Sequence, residues 1–168
     1  MAFGSIYLAP SAGCGPATDA APLDFIVGTS TPVENIQVRA YDQSTIQYTD
    51  YRLRLPTGYA GGGVTLSFCT SCGTVTGTIQ IEAAFRAFVD DAEDLDTTAH
   101  TYDYNSVTIS TLPNVVGEET YDIITFTNGA DMDGLGAGVE CLLRVRRNTA
   151  DSAAAFAYIH GIEIYETP

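Results

Sequence analysis

The chain predicts an all-β fold: an antiparallel β-sandwich, a jelly roll of about eight strands, with an extended N-terminal arm. Three observations carry this. Apolar residues alternate with polar ones in many short segments, which is the pattern of strands buried on one face. Gly, Pro, Asn and Asp clusters separate those segments as turns. No segment offers apolar spacing at three and four over a helical length with a capped start; only residues 90–98 have the makings of a short helical turn.

The elements follow in order. The first 33 residues hold Pro10, Pro16, Pro22 and Pro32, four of the seven prolines, among Gly, Ala, Ser and Thr. Proline removes backbone donors and favours extended chain, so residues 1–33 read as an irregular arm with one short strand at 23–27. It is expected either as a disordered leader or as an ordered arm lying on a neighbouring subunit. Residues 34–168 then form the sandwich domain. Ile36, Val38 and Ala40 alternate, as do Tyr51, Leu53 and Leu55 before Pro56. A glycine-rich turn at 58–63 precedes Val64, Leu66 and Phe68, and a longer strand covers 78–89 with Ile79, Ile81, Ala83, Phe85, Ala87 and Val89 on one face. Further strands are expected at 106–111, 121–127, 139–147 and 156–165. A lectin-like or immunoglobulin-like sandwich is the competing architecture, and the missing tryptophan and the cysteine placement count against an antibody-type domain.

Composition narrows the function. At 168 residues the chain suits one domain, and 45% hydrophobic residues with ten tyrosines and seven phenylalanines argue for a packed core. A formal net charge of -14 opposes binding to nucleic acid or to an anionic membrane. No apolar run is long enough to span a bilayer, and the N-terminus does not read as a signal peptide, so synthesis in a cytoplasm is expected.

Several motifs carry residue types capable of chemistry. Cys69-Thr-Ser-Cys72 has redox or zinc spacing, but Cys14 and Cys141 stand alone, His100 and His160 lack ligand spacing, and Gly73 with a Thr-rich run follows instead of a helix. All four cysteines therefore read as free structural thiols, and no metal or cofactor is expected. The acidic stretch Asp90-Asp-Ala-Glu-Asp-Leu-Asp96 reads as a solvated loop before it reads as a calcium site, and Asp131-Met-Asp-Gly134 reads as a flexible connection. Neither histidine accompanies a recognisable nucleophile motif, so no catalytic residue is assigned and the chain is not expected to be an enzyme. Tyr41, Tyr48, Tyr51, Tyr59, Tyr102 and Tyr104 remain open to three readings: core, protein interface or sugar stacking.

All seven basic residues are arginine, and five lie on two alternating segments: Arg52 and Arg54, then Arg144, Arg146 and Arg147. Arginine binds carboxylates through a rigid planar fork, and period-two alternation places Arg52 and Arg54 opposite Leu53 and Leu55. The turn containing Asp151 offers an internal partner to one of the second group.

Tyr51-Arg-Leu-Arg-Leu-Pro56, the turn at 58–63, Val64-Thr-Leu-Ser-Phe68, Leu143-Arg-Val-Arg-Arg-Asn-Thr-Ala-Asp151 and Ile159-His-Gly-Ile-Glu-Ile-Tyr165 together resemble small virion structural proteins of tailed bacteriophages. Tyr59 and Phe68 stand where tryptophans are common in that group. The resemblance implies a jelly-roll capsid cement (decoration) protein, made in the host cytoplasm and carried on the capsid surface of the virion. It would bind the major capsid protein, as a homotrimer, and stiffen the shell. Arg52, Arg54, Arg144, Arg146, Tyr48 and Tyr59 are then the expected interface residues. The alternative is a tail-fibre or receptor-binding domain that recognises host surface glycan.

Overall fold

A computed structural model describes residues 4–89, 95, 99–109 and 111–167. The described residues form ten strands: β1 (Ile6–Leu8), β2 (Leu23–Val27), β3 (Asn35–Tyr41), β4 (Tyr48–Arg54), β5 (Val64–Cys72), β6 (Ile79–Phe88), β7 (Asn105–Ile109), β8 (Thr120–Phe126), β9 (Glu140–Arg147) and β10 (Ala157–Glu166). A six-stranded sheet runs β2-β3-β10-β5-β8 with β1 added to β10, and a four-stranded sheet runs β4-β9-β6-β7. Every strand pair is antiparallel. This is the two-sheet sandwich that the alternation predicts.

Inward positions of the two sheets make one core. Leu66, Phe68, Ile124 and Phe126 from the larger sheet and Ile79, Ile81, Phe85, Leu143 and Val145 from the smaller one are all buried. The Phe85 and Phe126 rings meet edge to face across the sandwich with centroids 4.9 Å apart, the arrangement aromatic quadrupoles favour. The glycine turn before β5 is needed for its backbone. Gly63 has φ +98°, and a Cβ there would lie 2.3 Å from the Phe126 carbonyl oxygen.

The strand that alternation misses is β1. Three residues are too few to show a period, and β1 forms because β10 has a vacant edge. β3 pairs with Ala157 to Ile159 only, a register irregularity follows between Ile159 and Gly161, and Ile6 to Leu8 then pair with Ile164 to Ile162. Tyr7 lies against Gly161, where any Cβ would collide with its ring.

The described part of the N-terminal segment folds along its own sandwich. Cys14 and Asp50 exchange backbone hydrogen bonds of 2.9 and 2.7 Å, and Ala21 N–H donates to Tyr48 O at 2.9 Å, so residues 14–21 cover the open edge of β4. Arg39, buried in β3, holds this segment from beneath. Its guanidinium donates to the Pro10 carbonyl at 2.8 Å, the Ala21 carbonyl at 3.0 Å and the Gly13 carbonyl. Five charged-donor N–H groups suit a loop that presents several carbonyls to one point.

Arg147 closes the other side. Unlike Arg144 and Arg146 it points inward, as its odd position in β9 demands, and it is fully buried. It forks onto Asp151 with two 2.8 Å contacts. Its remaining donors reach the carbonyls of Ala153 at 2.6 Å, Tyr41 at 3.4 Å and Ala155. Asp151 Oδ2 also accepts Gln80 N–H at 3.0 Å. The pair thus joins β9, β6, β3 and the lead into β10.

Asp131-Met-Asp-Gly134, expected as a flexible connection, is a packed 3-10 turn. Met132 is fully buried, Asp131 accepts Thr127 N–H at 2.6 Å, and Asp133 accepts Ala87 N–H at 2.9 Å. The acidic stretch 90–96 lies outside the described residues apart from Leu95.

Removing one partner of a buried, hydrogen-bonded ion pair strands the other charge. Asp151→Ala is therefore expected to lower unfolding free energy by about 3–5 kcal/mol, measured by urea denaturation, whereas Glu140→Ala at the exposed Arg52 pair should leave the denaturation midpoint nearly unchanged.

Candidate functional site

The outward positions of the four-stranded sheet collect most of the arginine. The register lines them up in four rows. Tyr48, Arg146 and Glu82 form the first, Asp50, Arg144 and Ala84 the second, Arg52, Leu142 and Arg86 the third, and Arg54, Glu140 and Phe88 the fourth. Rows two residues apart are about 7 Å from one another, so the face runs for about 20 Å.

Three arginines hold carboxylates of their own chain. Arg144 forks onto Asp50 at 2.7 and 2.6 Å, Arg146 Nε donates to Glu82 at 2.5 Å, and Arg52 Nε donates to Glu140 at 2.6 Å. Arg54 donates to the Gly138 carbonyl. The bond from Asp50 raises the Arg144 pKa, although burial opposes it. Burial is the largest influence on Arg146 and lowers its pKa, but the bond and charge of Glu82 together with Tyr104 and Tyr48 outweigh it, so the net shift is upward. The Arg52 bond pulls the Glu140 carboxyl below its ordinary range. These guanidinium groups are consequently fixed in direction.

Aromatic rings lie on the fixed cations. The segment 99–104, between β6 and β7, runs without strand pairing over this face and sets His100, Tyr102 and Tyr104 at period two. Arg144 Cζ sits 4.3 Å from the Tyr102 ring centroid and 5.3 Å from that of Tyr48, and Arg146 Cζ sits 3.8 Å from that of Tyr104. Tyr102 and Tyr104 are 6.0 Å apart, close to the spacing of the arginines beneath. Ala84, fully buried although it points outward, leaves room for them. Burial raises the Tyr102 pKa and pushes Tyr104 up to about 12, so both hydroxyls stay protonated. At the far end, Arg52 and Arg86 lie 5.7 and 5.3 Å from the Phe88 ring centroid. A cleft of about 530 Å³ opens there, lined by Arg54, Phe88, Val89, Gly138, Val139 and Glu140, a volume within the range of small-ligand sites.

Of the residues expected at an interface, Arg52, Arg54, Arg144, Arg146 and Tyr48 share this one face. Tyr59 does not. It is 7% exposed, its hydroxyl accepts Gly63 N–H at 3.0 Å, and it serves the glycine turn from inside. Phe88, Asp50, Glu82 and Glu140 belong to the face and were missed. Listing the even positions of 80–88 and 48–54 as one surface would have found the first three.

Elsewhere, Cys69 and Cys72 are three apart on β5 and therefore point to opposite faces, which denies them a shared metal or bond. Burial pushes the Cys69 thiol up to about 11. His160 Nε2 lies 2.7 Å from Ser71 Oγ and its Nδ1 lies 3.5 Å from Glu119 Oε1, an order of groups that invites a nucleophile reading. Ser71 is only 1% exposed, so that hydroxyl is closed to substrate.

No protein-family model and no curated protein matches this sequence. Solved structures do. The xylan-binding module CBM15 aligns with a TM-score of 0.53 at 11% identity, covering 98% of this chain and 97% of that one. The shared feature is the jelly-roll sandwich. The CBM36-1 domain of a multidomain xylanase from the hindgut metagenome of Trinervitermes trinervoides aligns at a TM-score of 0.48 with 11% identity, over 98% and 99% of the two chains; this weaker match adds nothing to the argument.

Burial lowers the His160 pKa below its ordinary 6.5, against the pull of Glu119. The unfolded chain then binds the proton more readily, so stability is present above pH 6.5 and is lost as pH falls through the lowered folded value. Denaturation midpoints between pH 7.5 and 5 should fall in the wild type, and His160→Gln should flatten that slope.

Proposed function

We propose that this chain is a carbohydrate-binding module that takes a glycan along the outer face of the β4-β9-β6-β7 sheet. The observation that carries the reading is the alternation on that face of part-exposed rings, Tyr48, Phe88, Tyr102 and Tyr104, with guanidinium and carboxylate groups locked in place. A sugar ring offers an apolar C–H side and a rim of hydroxyls. The first suits an aromatic face, and the second suits planar groups whose donors and acceptors are already oriented. The cleft beside Phe88 supplies concavity, with the Arg54 and Glu140 side chains on its wall. Xylan binding occurs in a module of the same fold, but a fold hosts many functions, so the reading rests on the face itself.

The capsid cement role asks the same arginines for carboxylates on a neighbouring subunit. Arg52, Arg144 and Arg146 already hold partners in their own chain, which leaves that role without the observation it drew upon. Recognition of host surface glycan, the alternative drawn from the sequence, agrees better with the face.

Affinity electrophoresis against xylan, mixed-linkage glucan, galactan and mannan tests the proposal. At least one is expected to retard the protein. Phe88→Ala and Tyr102→Ala should each weaken that binding by about threefold to tenfold, while Tyr121→Ala, at a ring 71% exposed on the opposite sheet, should leave it unchanged. Failure to bind any of the four, or sensitivity to Tyr121 in place of Phe88 and Tyr102, overturns it.

A further inference from the structure

The segment 99–104 reaches its place on the arginine face without a strand to hold it. Among the described residues, its anchors are side chains. Tyr102 and Tyr104 rest on Arg144 and Arg146, and at the leading end His100 meets Tyr102 edge to face with centroids 4.8 Å apart and an interplanar angle of 79°. On its other side His100 Nε2 lies 3.8 Å from Asp133 Oδ2, with side-chain exposures of 15% and 37%. Asp133 is itself fixed: the same oxygen accepts Ala87 N–H at 2.9 Å, on the stretch of β6 beyond the end of β7. The carboxylate that faces His100 is thus part of the scaffold, and the ring that His100 touches is part of the binding face.

We propose that His100 is a positioning residue whose protonation latches the 99–104 strap to Asp133 and so fixes Tyr102 and Tyr104 for ligand. The neutral ring packs on Tyr102 and has only a long contact to Asp133. The imidazolium adds an ion pair with a carboxylate that the Ala87 N–H holds in place, and the ring keeps its edge-to-face contact with Tyr102. Among the described residues, the charged groups around this site are Asp133 from the turn after β8, Arg144 on β9 beneath Tyr102, the Asp50 carboxylate that Arg144 holds, and Arg86 on β6, which bonds the Tyr102 hydroxyl. The two arginines keep their charge throughout the histidine range, so the pair that changes is His100 with Asp133. The consequence for affinity rests on the glycan reading; the latch does not.

The direction is opposite to that of the other histidine. Acid weakens the fold through His160 and tightens the strap through His100, which lets one titration separate them. With two histidines in the chain, each imidazole gives its own proton NMR titration, and amide exchange over 99–104 reports the strap after correction for intrinsic rates. Protection of these amides is expected to rise between pH 7.5 and 5.5 along the His100 titration, by about fivefold at most for a part-exposed pair. His100→Gln and Asp133→Asn should abolish the rise, and His160→Gln should keep it. Affinity for whichever of the four polysaccharides binds, read by affinity electrophoresis at the same two pH values, should strengthen in parallel in the wild type and not in His100→Gln. Strap protection that ignores pH, or that still follows it in His100→Gln, overturns the latch. A strap that responds while affinity for whichever of the four polysaccharides binds stays constant overturns its link to binding, and absence of binding to all four at both pH values counts against the glycan reading while exchange alone decides the latch.

Discussion

The buried pair of Arg147 with Asp151 is the constraint on which the rest of the structure depends. It is the one guanidinium of β9 turned into the core, and it satisfies its donors on a carboxylate and two carbonyls of the connection between β9 and β10 and on the Tyr41 carbonyl of β3. A charge taken out of water is tolerated only when every donor finds a fixed acceptor. That requirement pins the end of β9 in one register, because a slip by one residue would carry Arg146 inward to a site without such acceptors and push Val145 into water. With Arg147 inward, Arg146 and Arg144 must point outward.

The arginine face follows from that register. Asp50 of β4 and Glu82 of β6 stand directly beside Arg144 and Arg146 in neighbouring strands, so each cation is clamped by a carboxylate one strand away. Such pairs contribute little to net stability when part exposed. Their effect is orientation. The guanidinium planes become a bed at strand spacing on which Tyr102 and Tyr104 lie at matching intervals, and this lets an unpaired strap of six residues sit over the sheet. Arg39 plays a related part on the other sheet, where one buried side chain gathers the carbonyls of an irregular segment that has few backbone partners of its own.

Seven arginines in a chain of net charge -14 thus serve distinct ends. Arg39 and Arg147 are folding devices, buried and saturated. Arg144 and Arg146 are structural cations under aromatic rings. Arg52, Arg54 and Arg86 border Phe88 and the cleft. Lysine, a flexible point charge without a planar fork, would fill none of the first four places.

Period-two alternation, a local property that each strand carries in its own residues, is enough for the fold class, the position of nine strands and the outward placement of Arg52 and Arg54. The sequence also offers Asp151 as an internal partner for one of Arg144, Arg146 and Arg147, and the burial of Arg147 makes the choice. The remaining features depend on long-range packing. β1 exists because β10 has an empty edge, Tyr59 is interior because the glycine turn needs its hydroxyl, and the arginines and rings meet on one face because β4, β6 and β9 are neighbours although they are distant along the chain. Strand order is a property of long-range packing, and alternation, which tells each strand which side is buried, does not say which strand lies beside it.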